Sequence, residues 1–341
     1  MNGMKGGERL NAGEMRQILS AALGVILFGG LSASVFYAIV RRSRIWPPRL
    51  SLLPPWSTVE LCIAALLVVA IPATVFRVFQ QSGFFLWYYG SNPDSNDKAD
   101  IARAGLWVAL STPITILVIL LVLRAISGTR PSQIGLGDDH WVKNITLGYI
   151  ACALLAPLTF LVHFVTRLTY SHFTPGEPVM HPLQKLAMER ADAIEWILIV
   201  AQATVFAPLL EEFLFRGLIL PWATRRWFGG WTAAVAALIL AGLRVPESVG
   251  PIVMMAPALA LMALSLRQKP AEQFWWANLG ASLLFAMMHA SVWPTPIPLV
   301  FLSLGLGWLR NRTQSLWGPI VLHGLFNAVS TLLLLRGIDV K

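Results

Sequence analysis

Charge is scarce in this chain. Asp, Glu, Lys and Arg make up 13% of its 341 residues, where a soluble domain carries roughly a quarter, so an ordinary water-soluble fold is excluded. Cysteine is scarcer still, with Cys62 and Cys152 both inside apolar runs. That excludes a disulfide framework and says nothing of redox compartment. Several hydrolase signatures are missing: there is no GxSxG elbow, no HExxH zinc motif, and no His or basic residue beside either cysteine. Internal repeats and low-complexity tracts are absent too, so nothing suggests a transporter built from duplicated halves. No convincing cleavage site follows the first apolar run, which is expected to be a retained span.

What is there is hydrophobic: 56% of residues, with a mean hydropathy of +0.65. This predicts an all-α, polytopic transmembrane bundle. Runs of the required length, about 20 residues, lie near 17–40, 57–79, 103–126, 143–166 and 193–224. Further runs near 231–246, 250–266, 276–292, 296–310 and 314–336 are in part shorter and are interrupted by prolines. Eight to ten spans fit, and about ten is the expectation. That number puts the basic clusters at 41–49, 124–143, 225–226, 267–269 and 310–312 on one side, as cytoplasmic loops require. The net charge of +9 therefore reads as loop charge, and no nucleic acid is expected as a partner. Trp56, Trp87, Trp227, Trp275, Trp276 and Trp317 near span ends fit anchoring among membrane lipids. The loop at 80–102 combines an aromatic patch with Asp94, Asp97 and Asp100 and belongs on the opposite face. The stretch LQKLAMERADAIEWI is expected to lie in the interface before the fifth span. The expected location is multi-pass, in the cytoplasmic membrane of a prokaryote.

Against this background the segment LLEEFLFRGLIL, 209–220, stands out. An ionisable side chain at the bilayer centre costs at least ~2.5–3.5 kcal/mol on insertion scales, yet Glu211, Glu212 and Arg216 occur within six residues. Glu212 and Arg216 are four apart and share a helix face, so they can neutralise each other. Glu211 points about 100° away and has no partner on its own helix. Two later spans add Phe285 with His289 and His323 with Asn327, again at i,i+4. A carboxylate, two imidazoles and an amide on three spans make a coherent hydrolytic set. Glu211 and His289 can share a water, while His323 and Asn327 donate to the oxyanion. Three other readings stay open. One is a structural ion pair. Another is a non-enzymatic protein, such as an immunity factor or a cation-coupled carrier using the carboxylate for binding. In the third, Glu211, His289 and His323 hold zinc or another divalent metal.

The runs EEFLFRG, SLLFAMMH and LGLGWLRNRTQSLWGPIVLHGLFN resemble the CAAX-protease and bacteriocin-processing family of intramembrane endopeptidases. Its motifs EExxxR, FxxxH and HxxxN fall on Glu211, Glu212 and Arg216; on Phe285 and His289; and on His323 and Asn327. The resemblance covers about 190–336 and implies a peptidase acting on peptide or protein substrates, lipid-modified ones included. It further implies that Glu211 and His289 activate water, and that His323 and Asn327 form the oxyanion site. Glu212, Arg216 and Phe285 are expected to support the site. Many family members are labelled metalloproteases; the resemblance implies a metal-free glutamate mechanism as readily. One departure is the long spacing between EExxxR and FxxxH. The excess at about 232–275 is expected to be a two-span hairpin, which preserves the orientation of His289 relative to Glu211. The expected organisation is an N-terminal region of about four spans over 1–180 and a protease core over 181–341. The N-terminal region carries no recognised motif and reads as a partner-binding or lipid-facing addition.

Overall fold

The computed structural model describes residues 11–41, 54–94, 97–137, 140–173, 181–189, 191–244, 250–263 and 273–336. Most of the cluster expected at 41–49, the cluster at 267–269 and most of the RVPESVG break lie outside these residues. The described chain is helical and contains no strand. In order come α1 (Ala12–Ala38), α2 (Thr58–Gln81), the short α3 (Phe84–Tyr89), α4 (Asp100–Ser127) and α5 (Trp141–Phe173). Then follow the short α6 (Pro182–Glu189), α7 (Ala193–Arg225), α8 (Gly229–Arg244) and α9 (Gly250–Ala263). The last are α10 (Gln273–Met287), α11 (Pro296–Thr313) and α12 (Trp317–Leu335). Each of the ten predicted apolar runs is a helix. Six (α1, α2, α4, α5, α7 and α12) are long and apolar enough to cross a membrane. The 16 residues of α8 rise about 24 Å at 1.5 Å each, short of a ~30 Å hydrocarbon core. Outer faces expose Leu66, Val69, Leu117, Leu121, Leu154 and Leu161, as surfaces solvated by lipid tails do.

Caps set the helix starts. Asn11, Ser57 and Asp192 each form a reciprocal capping box with the Glu three residues on, satisfying backbone N–H groups that the first turn leaves unpaired. At Asp192 the box fixes the start of α7, and Glu195 pairs further with Arg103 Nε of α4 at 2.9 Å. Close crossings use small residues. The carbonyl of Gly230 in α8 leaves no room for a Cβ at Gly280 in α10, and Ala233, Ala234, Ala237 and Ala241 of α8 are buried. Between the EExxxR and FxxxH motifs, α8 is therefore flush against α10, and Met255 and Met262 of α9 join one apolar cluster with Ala237 and Leu283.

The N-terminal region is likewise built into the core. Trp56, fully buried, donates its Nε1–H to the Leu218 carbonyl of α7 at 3.1 Å. Arg225 Nη1 donates to Pro54 O at 2.7 Å, and Ile134 is sealed in one apolar cluster with Phe213, Leu218 and Leu316. The helix α6 docks Leu186 and Ala187 in a cluster with Ala102, Leu106, Trp196 and Leu198. It is a strut held by both α4 and α7.

Candidate active site

Everything at the site hangs on α7, which is not a uniform α-helix. It widens into π turns at Gln202–Phe206 and again at Phe213–Ile219, bracketing Glu211 and Glu212. Single π turns inside α-helices recur at functional sites. Two prolines explain the widening. Pro208 and Pro221 have no N–H to return to the preceding turn, and each stands two residues past a π segment. Five positions before Pro208, the Ala203 carbonyl takes its hydrogen bond from another helix instead: Asn327 Nδ2 of α12 donates to it at 2.9 Å. Gly324 lets α12 come that close, since a Cβ there would stand 2.6 Å from Thr204 O.

Glu212 is completely buried and its Oε1 accepts twice, from Arg216 Nη1 at 2.8 Å and from His323 Nδ1 at 2.8 Å. The expected Glu212–Arg216 pair is thus present, and His323 joins it as a partner that i,i+4 spacing did not foretell. Arg216 spends Nη2 on Ser303 of α11, at 2.6 Å to Oγ and 3.2 Å to the carbonyl. Since a carboxylate only accepts, the proton lies on His323 Nδ1, and Nε2 carries the lone pair when the ring is neutral. That Nε2 faces Glu211 Oε2 at 3.8 Å, too far for a direct hydrogen bond. Glu211 is the accessible carboxylate, its side chain 27% exposed against 0% for Glu212. Its Oε2 has no hydrogen-bond partner in the protein.

Phe285 gathers the rest. Its ring lies 5.6 Å from that of His323, 5.5 Å from His289 and 5.2 Å from Phe215, with the Arg216 guanidinium over it at 4.6 Å. His289 Nδ1 lies 3.2 Å from Phe285 O. A carbonyl only accepts, so His289 also carries its proton on Nδ1 and presents Nε2 as an acceptor. The structure thus brings Glu211, Glu212, Arg216, Phe285, His289 and His323 into one cluster. His323 and Asn327 each spend one donor within the protein: the imidazole bonds Glu212 and the amide bonds Ala203 O.

Sequence reasoning missed three residues here. Ser303 has no motif, and Arg310, taken for a loop charge, is buried. His181 caps α6, its Nδ1 accepting from the Leu183 N–H at 3.2 Å, and belongs to no recognised pattern. Burial first, and then the neighbouring His289, push its pKa from an ordinary 6.5 down to about 4.

The alternative set of metal ligands is Glu211, His289 and His323. Among the described residues no group of three or more His, Cys, Asp or Glu is arranged to hold an ion. Of the set Glu211, His289 and His323, the described geometry links only the carboxylate and His323, and His323 Nδ1 is committed to Glu212.

Taken together, the apolar helices and this cluster define a multi-pass membrane protein with ionisable groups gathered where α7, α10, α11 and α12 meet. The family described as type II CAAX prenyl endopeptidase Rce1-like matches residues 193–269 and 260–329. This is the peptidase family that the EExxxR, FxxxH and HxxxN motifs resemble, and the C-terminal part of the chain is similar to it. No curated protein matches the chain, and no solved structure does.

Proposed function

We propose that this protein is an intramembrane endopeptidase in which Glu211 and His289 activate water against a peptide bond of a membrane-associated substrate. One observation carries the reading: adjacent carboxylates have opposite surroundings. Glu212 is sealed, with Oε1 doubly hydrogen-bonded, whereas the Glu211 side chain is 27% exposed and accepts no hydrogen bond at Oε2; the Oε2 of Glu212 is likewise without a donor, so exposure and the bonds at Oε1 make the difference. Environments that differ in this way divide the labour between two carboxylates.

Glu211 takes a proton from water as the water oxygen attacks the carbonyl carbon, and the Nε2 lone pair of His289 holds the other hydrogen. His323, its Nδ1–H held by Glu212, donates to the oxyanion when Nε2 also carries a proton. Asn327 spends one amide hydrogen on Ala203 and has a second to offer. Collapse of the intermediate breaks the C–N bond, and Glu211 returns its proton to the leaving amine. Metal takes no part in this scheme.

The matched family favours CAAX-type peptides; leader-peptide cleavage uses the same chemistry. The proposed location is the cytoplasmic membrane of a prokaryote, with residues 181–341 as the catalytic unit and 1–180 bracing α7. The test compares new protein termini in cells with the wild type and with Glu211→Ala, alongside cleavage of farnesylated and unmodified CAAX peptides by purified protein. Termini that persist equally in the variant overturn the proposal. Activity should survive strong chelation; loss to chelator and return with Zn²⁺ would make Glu211, His289 and His323 ligands instead.

A further inference from the structure

The second π segment of α7 presents the same problem as the first. Pro221 cannot donate an N–H, and the carbonyl five positions before it belongs to Arg216, the residue whose side chain holds Glu212. That carbonyl is taken by Arg310 of α11, whose Nε donates to Arg216 O at 3.2 Å. The same guanidinium gives Nη2 to Ile134 O, in the one-turn helix Pro131–Ile134 between α4 and α5, at 3.0 Å. Next to it, Gly135 stands at φ +99°, and a Cβ there would lie 3.1 Å from Arg310 Cζ. Glycine therefore serves both the left-handed backbone and the guanidinium's space. Arg310 is 4% exposed, so it cannot serve as the solvated cytoplasmic charge that its sequence context suggests. Burying a cation costs several kcal/mol, which a loop anchor alone does not require.

The two proline sites have the same architecture. Pro208 frees Ala203 O for Asn327, and Pro221 frees Arg216 O for Arg310. Each latch lies on one side of the Glu211–Glu212 pair and comes from a different helix.

We infer that Arg310 is a positioning residue of the site: by occupying the carbonyl that Pro221 leaves unpaired, it fixes the π turns of α7 and so aims Arg216 at Glu212 and Glu212 at His323. It touches no reacting atom and acts through the backbone of Arg216. Its second bond, to Ile134 O, makes the register of this chain depend on the N-terminal region. The effect on turnover rests on the peptidase reading above; the effect on His323 does not.

Arg310→Met keeps the apolar stem and removes both donors. At matched folded fraction it should lower kcat by about 10²-fold, the scale of a 1 Å misplacement, with KM within twofold. It should also shift the His323 Nδ1–H signal in spectra of protein labelled with [¹⁵N]histidine. Pro221→Ala returns a backbone N–H to the Arg216 carbonyl, so adding it to Arg310→Met should restore a large part of both readouts. Arg310→Lys, which keeps a donor and the charge, should fall between. Should Arg310→Met not fold, the Lys variant and the double variant provide the same readouts. An unchanged His323 signal with kcat per folded molecule within twofold of wild type overturns the inference, as does a double variant no better than Arg310→Met. A wild type without peptidase activity, but with the His323 signal moved by Arg310→Met, refutes the proposed function and leaves the positioning role standing.

Discussion

His323 Nδ1 and Glu212 Oε1 lie 2.8 Å apart, joining α12 to α7 through the same oxygen that accepts from Arg216. This contact makes Glu212 more than half of an ion pair. It fixes a histidine tautomer and leaves the opposite ring nitrogen toward Glu211. The contact separates the tasks of two neighbouring glutamates, and the first two predictions follow from it.

Glu211→Gln should abolish cleavage while leaving insertion and thermal stability close to wild type. The side chain is partly exposed and its Oε2 accepts no hydrogen bond from the protein, so an isosteric amide breaks no bond at that oxygen. Cleavage by the purified, folded variant sinks the assignment of Glu211 as base.

Glu212→Gln and Arg216→Ala should instead lower abundance and melting temperature. Removing one partner of a buried pair strands the other and typically costs about 3–5 kcal/mol. Arg216→Lys should rescue poorly, because one ammonium cannot span both Glu212 Oε1 and Ser303 Oγ in the guanidinium's fork geometry. Wild-type melting temperatures for all three variants contradict this account.

Asn327→Ala should act twice. It unpairs the Ala203 carbonyl, worth about 1–3 kcal/mol of stability, and it removes an amide hydrogen from the proposed oxyanion site, worth about 10²–10³ in kcat. Asn327→Asp should be at least as damaging, since a carboxylate repels both the carbonyl and the oxyanion. The measurement is kcat normalised to folded protein. If only stability falls, the amide is a latch on α7 and takes no part in turnover.

Stability should fall as the solution is acidified from neutral, in part through His181. Its pKa is held down at about 4 against an ordinary 6.5. Above the ordinary value both folded and unfolded forms are neutral, and this group adds no pH dependence. Between the two values the unfolded chain takes up a proton that the native state refuses, so stability drops with pH and levels off below about 4. Asn at this position keeps an N-cap acceptor for α6 without a titrating ring. Thermal unfolding in detergent at pH 7 and pH 5 should therefore show a smaller loss for His181→Asn than for wild type. Equal losses assign the effect to other groups.

Some of this was legible in the residues alone. The ten apolar runs, the scarcity of charge and the placing of Glu211, Glu212, Arg216, His289 and His323 within them follow from local properties. A span must be long and apolar to cross, and a buried charge is costly enough to mark its position. The i,i+4 spacing correctly paired Glu212 with Arg216 because both lie on one helix. Contacts between helices depend on rotation and depth, which spacing does not encode. Tertiary packing alone decided that His323 bonds Glu212, that Asn327 reaches Ala203 O, and that His181 sits near His289. It also drew Arg310 out of an apparent loop cluster into the core. Pro208 and Pro221 announce in the sequence that α7 will have unpaired carbonyls. Which side chains satisfy those carbonyls is settled only when α11 and α12 pack against it, because a buried carbonyl without a donor is too costly to leave.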